Sequence, residues 1–337
     1  MINYNRITQI INENDSFLLT THINPDGDAI GSELALYYFL KKLNKNVYIV
    51  NHSSTPDFLE FLDEEKVIKK YEPSFDELIK SVDVIIAVDF NHIGRVRSMM
   101  EVINQSKAYK ILIDHHQDPQ NFVNEIFTDT EAAATGILIY KIIENYDKEL
   151  IDKKIAEALY AAIMTDTGSF RFERITPEVH LIVAELIDRG VNPTYVYNKI
   201  YNELPIEKLK ILGELITKIQ LAHENKIAYM VLTNDLIKKY YNDNKEFSVD
   251  EFVNFTMMIK SVRVGILFYE LPNTIKVSLR SKGKFPVNQV ANVFGGGGHI
   301  NAAGIRLDGA KLHEVINNVI SEVINKLENF KGEENND

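Results

Sequence analysis

The sequence predicts an α/β protein. It reads as a mostly parallel sheet in an N-terminal domain, a helical connector, and a smaller α/β C-terminal domain with a mixed sheet. Three observations predict this. Short apolar runs alternate with helical stretches through the first half, as expected for parallel strands covered on both faces. The pattern then changes near residue 227 to β runs joined by a tight turn. A length of 337 residues accommodates about two domains of roughly 150 residues.

In chain order, residues 17–21, 47–50, 84–89 and 111–114 read as strands, each bounded by polar or turn residues. Helical stretches are expected at 29–43, 131–144, 152–164 and 177–189. Gly190-Val-Asn-Pro193 combines a helix stop with a new start. Residues 194–223 then form a Lys- and Glu-rich helical connector. A strand at 227–232 and a helix around 249–258 follow. The β runs 262–269 and 274–279 flank Pro272-Asn273, a hairpin signal. An amphipathic helix at 311–327 closes the fold. The domains are thus 1–190, 191–223 (connector) and 224–330, with a charged, disordered tail at 331–337.

The composition, 45% hydrophobic and 25% charged, is that of a globular chain. There is no cysteine, which excludes disulfides and thiolate metal sites and suits a reducing cytoplasm. No run approaches a membrane span, and the polar first 16 residues lack the order of a signal peptide. The expectation is a cytoplasmic protein with no membrane partner. The net charge of −11 argues against long duplex DNA, whose non-specific binding needs many cationic contacts. Anionic substrates would have to be met by metals or a few aimed arginines.

The chemistry concentrates in four clusters. His22-Ile-Asn-Pro-Asp26-Gly-Asp28 lies between the first strand and first helix, where ligands bind in open α/β sheets. Asp89 ends the 84–88 run, Asp114-His115-His116 ends the 111–113 run, and Asp166-Thr-Gly168 ends a helical run. Alone, Asp26-Gly-Asp28 could be a turn in which Asp28 caps the helix. Four convergent Asp/His loops are better explained by a cation that offsets their repulsion. Oxygen-rich ligation without cysteine suits Mn²⁺ or Mg²⁺. In the C-terminal half, Gly295-Gly-Gly-Gly-His299 lets backbone N–H groups approach an anion, with Arg263 and Arg280 at the ends of neighbouring β runs. Phe170-Arg171-Phe172 reads as core packing rather than a base-stacking surface. His52, His92, His180, His223 and His313 read as surface or helix residues.

The four clusters, in this order, resemble the motifs of the DHH phosphoesterase superfamily. Gly295 to Gly304, with His299 and Asn301, is similar to the signature of the DHH-associated C-terminal domain. The resemblance implies that His22, Asp26 and Asp89 hold one metal, and that Asp28, Asp89, His115 and Asp166 hold the other. Asp89 would bridge. Asp114 would fix a histidine tautomer from behind the ligands, and His116 would assist the leaving oxygen. Arg263, Arg280, Gly296, Gly297, Gly298, His299 and Asn301 would bind substrate. Two divalent ions, manganese preferred and magnesium an alternative, would activate a bridging hydroxide for attack on phosphorus.

Within this superfamily the two-domain length resembles the stand-alone oligoribonuclease class. That implies hydrolysis of short RNA oligonucleotides (nanoRNA) to mononucleotides, and of 3′-phosphoadenosine 5′-phosphate (pAp) to AMP. The alternatives are a di-adenylate phosphodiesterase acting on pApA or the cyclic dinucleotide, and a nucleotide-binding module without catalysis. A homodimer is compatible with the sequence, though no residue argues for one.

Overall fold

The structure, a computed structural model, describes residues 2–241 and 249–330. The tail expected at 331–337 lies outside the described residues. The chain forms two compact units, Met1–Glu203 and Leu204–Asp337.

In the first unit the strands are β1 (Ser16–Thr20), β2 (Asn46–Asn51), β3 (Ile68–Lys70), β4 (Val84–Val88), β5 (Tyr109–Asp114) and β6 (Glu125–Thr128). The helices are α1 (Tyr4–Glu13), α2 (Gly27–Lys42), α3 (Asp76–Ser81), α4 (Met100–Gln105), α5 (Thr135–Asp147), α6 (Lys153–Asp166), α7 (Pro177–Asp188) and α8 (Pro193–Tyr197). All strand pairs are parallel, in the order β3-β2-β1-β4-β5-β6. Successive strand residues point to opposite faces. Phe17, Leu19, Val84, Ile86 and Val88 pack with α1, α2, α5 and α6 on one side. Leu18, Ile85 and Ala87 pack with α3 and α4 on the other. This two-sided burial is why β4 is a continuous apolar run. The chain adds strands outward from β1 to β3 and then crosses back to β4. The β1–β4 seam is therefore the topological switch point, where the loops after the two strands diverge and a ligand can be held.

The second unit has α9 (Ile206–Thr217), β7 (Gln220–Ala222), β8 (Ile227–Leu232), α10 (Asn234–Tyr240), α11 (Val253–Met257), β9 (Val264–Leu271), β10 (Thr274–Ser281), α12 (Val287–Val293), β11 (Gly297–His299), β12 (Ala302–Asp308) and α13 (Leu312–Asn329). Its sheet runs β11-β12-β10-β9-β8-β7 and is mixed: β8 and β9 are parallel, the other pairs antiparallel. Helices α12 and α13 cover one face through Val290, Val315, Val319 and Val323. Helices α9, α10 and α11 cover the other through Ile211, Leu236 and Val253. The hairpin at Pro272-Asn273 forms as expected, with Leu271 opposite Thr274.

Three expectations need correction. Residues 194–223 are not one helix. They form α8, a π turn at Asn198–Asn202, α9 and strand β7, because Pro205 removes a donor and forces an extended residue before it. The helix expected from 131 begins only at Thr135, where its first N–H groups are captured by Asp28. The helix expected around 249–258 is a short 3-10 turn, Asp250–Phe252, followed by the five residues of α11. Strands β3, β6 and β7, at three or four residues, are too short to show a period. Helix α1 was overlooked because its residues look polar, yet Ile7, Ile10 and Ile11 form a buried stripe. Among the described residues no helix is long and apolar enough to cross a membrane.

Candidate metal centre

Each acidic cluster sits where its strand or helix ends. Beyond β1, Thr21 is fixed twice: its N–H donates to Asn51 Oδ1 at 3.0 Å and its hydroxyl to the Val88 carbonyl at 2.7 Å. That ties the base of the His22 loop to β2 and β4. The residue that caps α2 is Asp26, accepting from the Ala29 N–H at 3.0 Å, and not Asp28. Asp28 lies in the first turn, buried. Its carboxylate accepts from the Thr135 N–H (2.7 Å), the Gly136 N–H (2.9 Å) and the Ser32 hydroxyl (3.1 Å). Helix α5 has no side-chain cap of its own. Asp28 takes that place, and the α5 dipole favours its charge.

Asp89, directly after β4, has φ 64°, a left-handed conformation seldom adopted by non-glycine residues and concentrated at functional sites. Its N–H donates to the Ile113 carbonyl at 3.0 Å, and Oδ1 accepts from the Thr135 hydroxyl at 2.8 Å. The two histidines are oriented by backbone carbonyls. His22 Nδ1 lies 2.9 Å from Ile23 O, and His115 Nδ1 lies 3.1 Å from Ala132 O. Their Nε2 atoms therefore face the carboxylates.

The donor groups of this unit with ligand atoms within 4.8 Å of one another include His22–Asp26–Asp89 and Asp28–His115–Asp166, and also Asp89–Asp114–His116. Asp89 touches both of the first two. Its Oδ2 is 3.6 Å from His22 Nε2, and its Oδ1 is 3.7 Å from His115 Nε2. His115 Nε2 also lies 3.3 Å from Asp166 Oδ2 and 3.8 Å from Asp28 Oδ2. The histidine that Asp114 holds is His116, with Nδ1 at 2.6 Å from Oδ1, because the Ala132 carbonyl already takes His115. The other Asp114 oxygen is buried without a hydrogen-bond partner among the described residues.

The electrostatics test whether divalent cations fit. Burial, and then the neighbouring Asp166, push Asp28 up to about 7. Burial, and then Asp28, hold Asp89 well above the usual carboxylate range. Burial likewise raises Asp166 to about 6. Such crowded carboxylates ionise together only beside positive charge. Burial and then Arg95 lower His22 to about 4, so at pH 7 it is neutral, the form in which an imidazole can ligate a metal. Hard oxygen donors with two imidazoles fit two divalent ions.

Sequence reasoning missed Thr135, Asn51, Glu33 and Arg95. None carries a motif: Thr135 bonds Asp89, Asn51 ties the base of the His22 loop and is itself bonded to Glu33, and the Arg95 carbonyl accepts from the Ile23 N–H. The Phe170-Arg171-Phe172 reading was half right. Phe170 packs edge-on to Tyr160, with centroids 5.9 Å apart, whereas Phe172 is 56% exposed.

In the second unit, Arg280 of β10 is level with Ala302 of β12, which is level with His299 of β11. Arg263 directly precedes β9, at the same end of the sheet. Arg280 is half-buried, and its guanidinium donates to the Leu279 carbonyl at 3.0 Å, its one hydrogen bond among the described residues. Gly297 and Gly298 are exposed and His299 half-buried. The glycine run is demanded first by packing. A Cβ on Gly298, at φ 142°, would lie 2.4 Å from Ala302 O, and one on Gly296 would lie 2.2 Å from Gly304 O. Asn301 donates to Ser281 Oγ at 3.0 Å, tying the β11–β12 turn to the end of β10.

Comparison with known proteins agrees with this architecture. Residues 16–163 match the DHH family, N-terminal domain, and residues 224–328 match the DHHA1 domain. The bifunctional oligoribonuclease and PAP phosphatase NrnA of Thermus thermophilus is 30% identical over 92% of this chain and 89% of its own length. The Bacillus subtilis protein of the same name is 28% identical over 86% and 88%. An exopolyphosphatase-related protein from Bacteroides fragilis superposes with a TM-score of 0.88 at 32% identity, covering 96% of this chain and 95% of that one. With its four acidic motifs at the sheet edge and its glycine–histidine turn in a second unit, the chain belongs to the DHH family of phosphoesterases, a family of hydrolases.

Proposed function

We propose that this protein is a two-metal phosphoesterase that hydrolyses short oligoribonucleotides to mononucleotides and pAp to AMP. The observation that carries the reading is Asp89, whose two oxygens face two separate donor groups. One site, His22, Asp26 and Asp89, would hold the first ion, and Asp28, Asp89, His115 and Asp166 the second, with Mn²⁺ preferred over Mg²⁺. Two such ions supply Lewis acidity and a nucleophile available at neutral pH.

The protein's own groups do the rest. Thr135 holds the Asp89 carboxylate in its shared orientation through the 2.8 Å bond. Asp114 fixes His116 through Nδ1, so proton exchange with the leaving oxygen falls to Nε2. Arg263, Arg280 and the Gly296–Gly298 backbone, with His299 and Asn301, would grip the remaining phosphates. The similarity to relatives named as oligoribonuclease and PAP phosphatase supports this substrate class.

The test is Mn²⁺-dependent hydrolysis of an RNA dinucleotide, a 24-nucleotide RNA, pAp, pApA and pyrophosphate side by side. Rapid release of mononucleotides from the dinucleotide and phosphate from pAp is expected, abolished by EDTA and restored by Mn²⁺. A sharp preference for pApA would move the assignment to di-adenylate turnover. Activity insensitive to chelation would refute the two-metal reading.

A further inference from the structure

We infer that Arg95 is a further specificity-determining residue, whose guanidinium binds a substrate phosphate adjacent to the one being hydrolysed. The inference rests on the phosphoesterase reading above and adds a subsite to it.

Arg95 follows Asp89 by six residues and lies in the 3-10 segment Ile93–Met99 beyond β4. Its backbone is locked against the metal loop, since the Ile23 N–H donates to the Arg95 carbonyl at 2.8 Å. Ile23 is the residue after His22. Two further contacts interlock the loops that leave β1, β2 and β4. The Asn24 N–H donates to Ser53 Oγ at 3.0 Å, and His52 Nδ1 lies 2.8 Å from Ser98 Oγ. The position of Arg95 relative to the centre is therefore set by three loops and not by a free tip.

The side chain is half-buried and has no hydrogen bond or ion pair among the described residues. Of the other arginines of this unit, Arg6 pairs with Glu125 at 2.7 Å, Arg189 with Glu149 at 3.2 Å, and Arg171 Nε donates to the Gly168 carbonyl at 2.6 Å. Arg97 is exposed, and Arg174, half-buried and also without a hydrogen bond or ion pair among the described residues, acts on Asp166 at the other donor group. Arg95 is close enough to influence His22 and Asp26 electrostatically without bonding to either. A half-buried fork of five donors with no acceptor is poised for an anion.

Its place selects which anion. His22 and Asp26 form one end of the centre, while the reacting phosphoryl belongs over Asp89, between the two donor groups. A cation at the end reaches the neighbouring phosphate, which in pAp is the 5′-phosphate when the 3′-phosphate is removed.

The experiment compares pAp with adenosine 3′-monophosphate, which differ only in that phosphate, using wild type, Arg95→Ala and Arg95→Lys. Calorimetric binding of AMP, which retains the 5′-phosphate, is measured on the same three proteins. In Arg95→Ala the ratio of kcat/KM for pAp over the monophosphate should fall about 10- to 100-fold. The loss should sit in KM, AMP binding should weaken by a similar factor, and Arg95→Lys should recover part of both. An unchanged ratio with unchanged AMP affinity overturns the inference. So does an equal fall in kcat for both substrates, which would place Arg95 on the reacting phosphate. If wild type hydrolyses neither compound the proposed function fails, and AMP binding alone still decides the role of Arg95.

Discussion

Substituting Gly31 by alanine perturbs the metal centre without touching a ligand. Gly31 lies on α2 against α6. A Cβ there would stand 2.4 Å from the Ala158 carbonyl oxygen, 2.9 Å from Ala162 Cβ and 3.0 Å from Ala162 N, whereas ordinary contact begins at 3.4 Å. The nearest obstacle is backbone, so no side chain can swing away. The helices must part by about 1 Å. Asp28 sits one turn before Gly31 on α2, and Asp166 ends α6 one turn after Ala162. The separation is therefore delivered to two members of one donor group. Overpacking of this kind costs about 1–3 kcal/mol, against roughly 0.5–1 kcal/mol gained when alanine replaces glycine inside a helix. A net loss of about 1–2 kcal/mol corresponds to a Tm lower by roughly 2–8 °C for a unit of this size. Misplacement by ~1 Å near the chemistry is worth about 100-fold in kcat. Gly213, on α9, is the control, because a Cβ there meets nothing within 4 Å. Gly213→Ala should stabilise by about 0.5–1 kcal/mol and leave turnover intact. The same substitution thus has opposite signs at two helical sites, read by thermal melts and Mn²⁺-dependent hydrolysis of pAp. A Gly31→Ala protein as stable and active as wild type would refute the close helix approach and the coupling argued from it.

Asp89→Asn keeps a side chain that tolerates the left-handed backbone but removes the shared charge. Turnover should drop by about 1,000-fold or more, and elemental analysis should find fewer than two bound metals per chain; near-normal activity would defeat the dinuclear assignment. Arg280→Ala should raise KM for pAp more than it lowers kcat, and a collapse in kcat alone would place Arg280 with the reacting groups. Glu33 is fully buried, with Oε2 accepting from Asn51 Nδ2 at 2.8 Å and Oε1 unpartnered among the described residues. Burial pushes its carboxyl from 4.5 up to about 8. The folded state therefore retains a proton that the unfolded chain releases, and stability falls as pH rises through that window. Glu33→Gln keeps the acceptor without the charge. It should melt close to wild type at pH 5 and gain a few kcal/mol, to order of magnitude, over wild type at pH 9. Equal pH dependence of the two melting curves would count against a buried, neutral Glu33.

The acidic motifs were legible because each is local. A carboxylate at the end of a buried strand is visible as Asp89 after the 84–88 run or Asp114 after 111–113, and the glycine run with His299 is contiguous. The alternation of buried strands with helices likewise determined the class of fold and the hairpin at Pro272-Asn273. The contacts that assemble these pieces were not legible, because they join residues far apart in sequence. Asp28 meets Thr135 and Gly136 more than 100 positions later, which moved the start of α5 from 131 to 135. Asp114 turned out to serve His116 once the Ala132 carbonyl had taken His115. Arg95 carries no motif, and only the interlocked loops bring it beside His22. The sequence by itself determined which ligating groups the chain has and which strand or helix end delivers each. Tertiary structure alone decided how the two oxygens of Asp89 are shared, which carbonyl orients each histidine, and which arginine stands by. Those choices depend on backbone placements of about 1 Å, set by packing between distant segments and not by local periodicity.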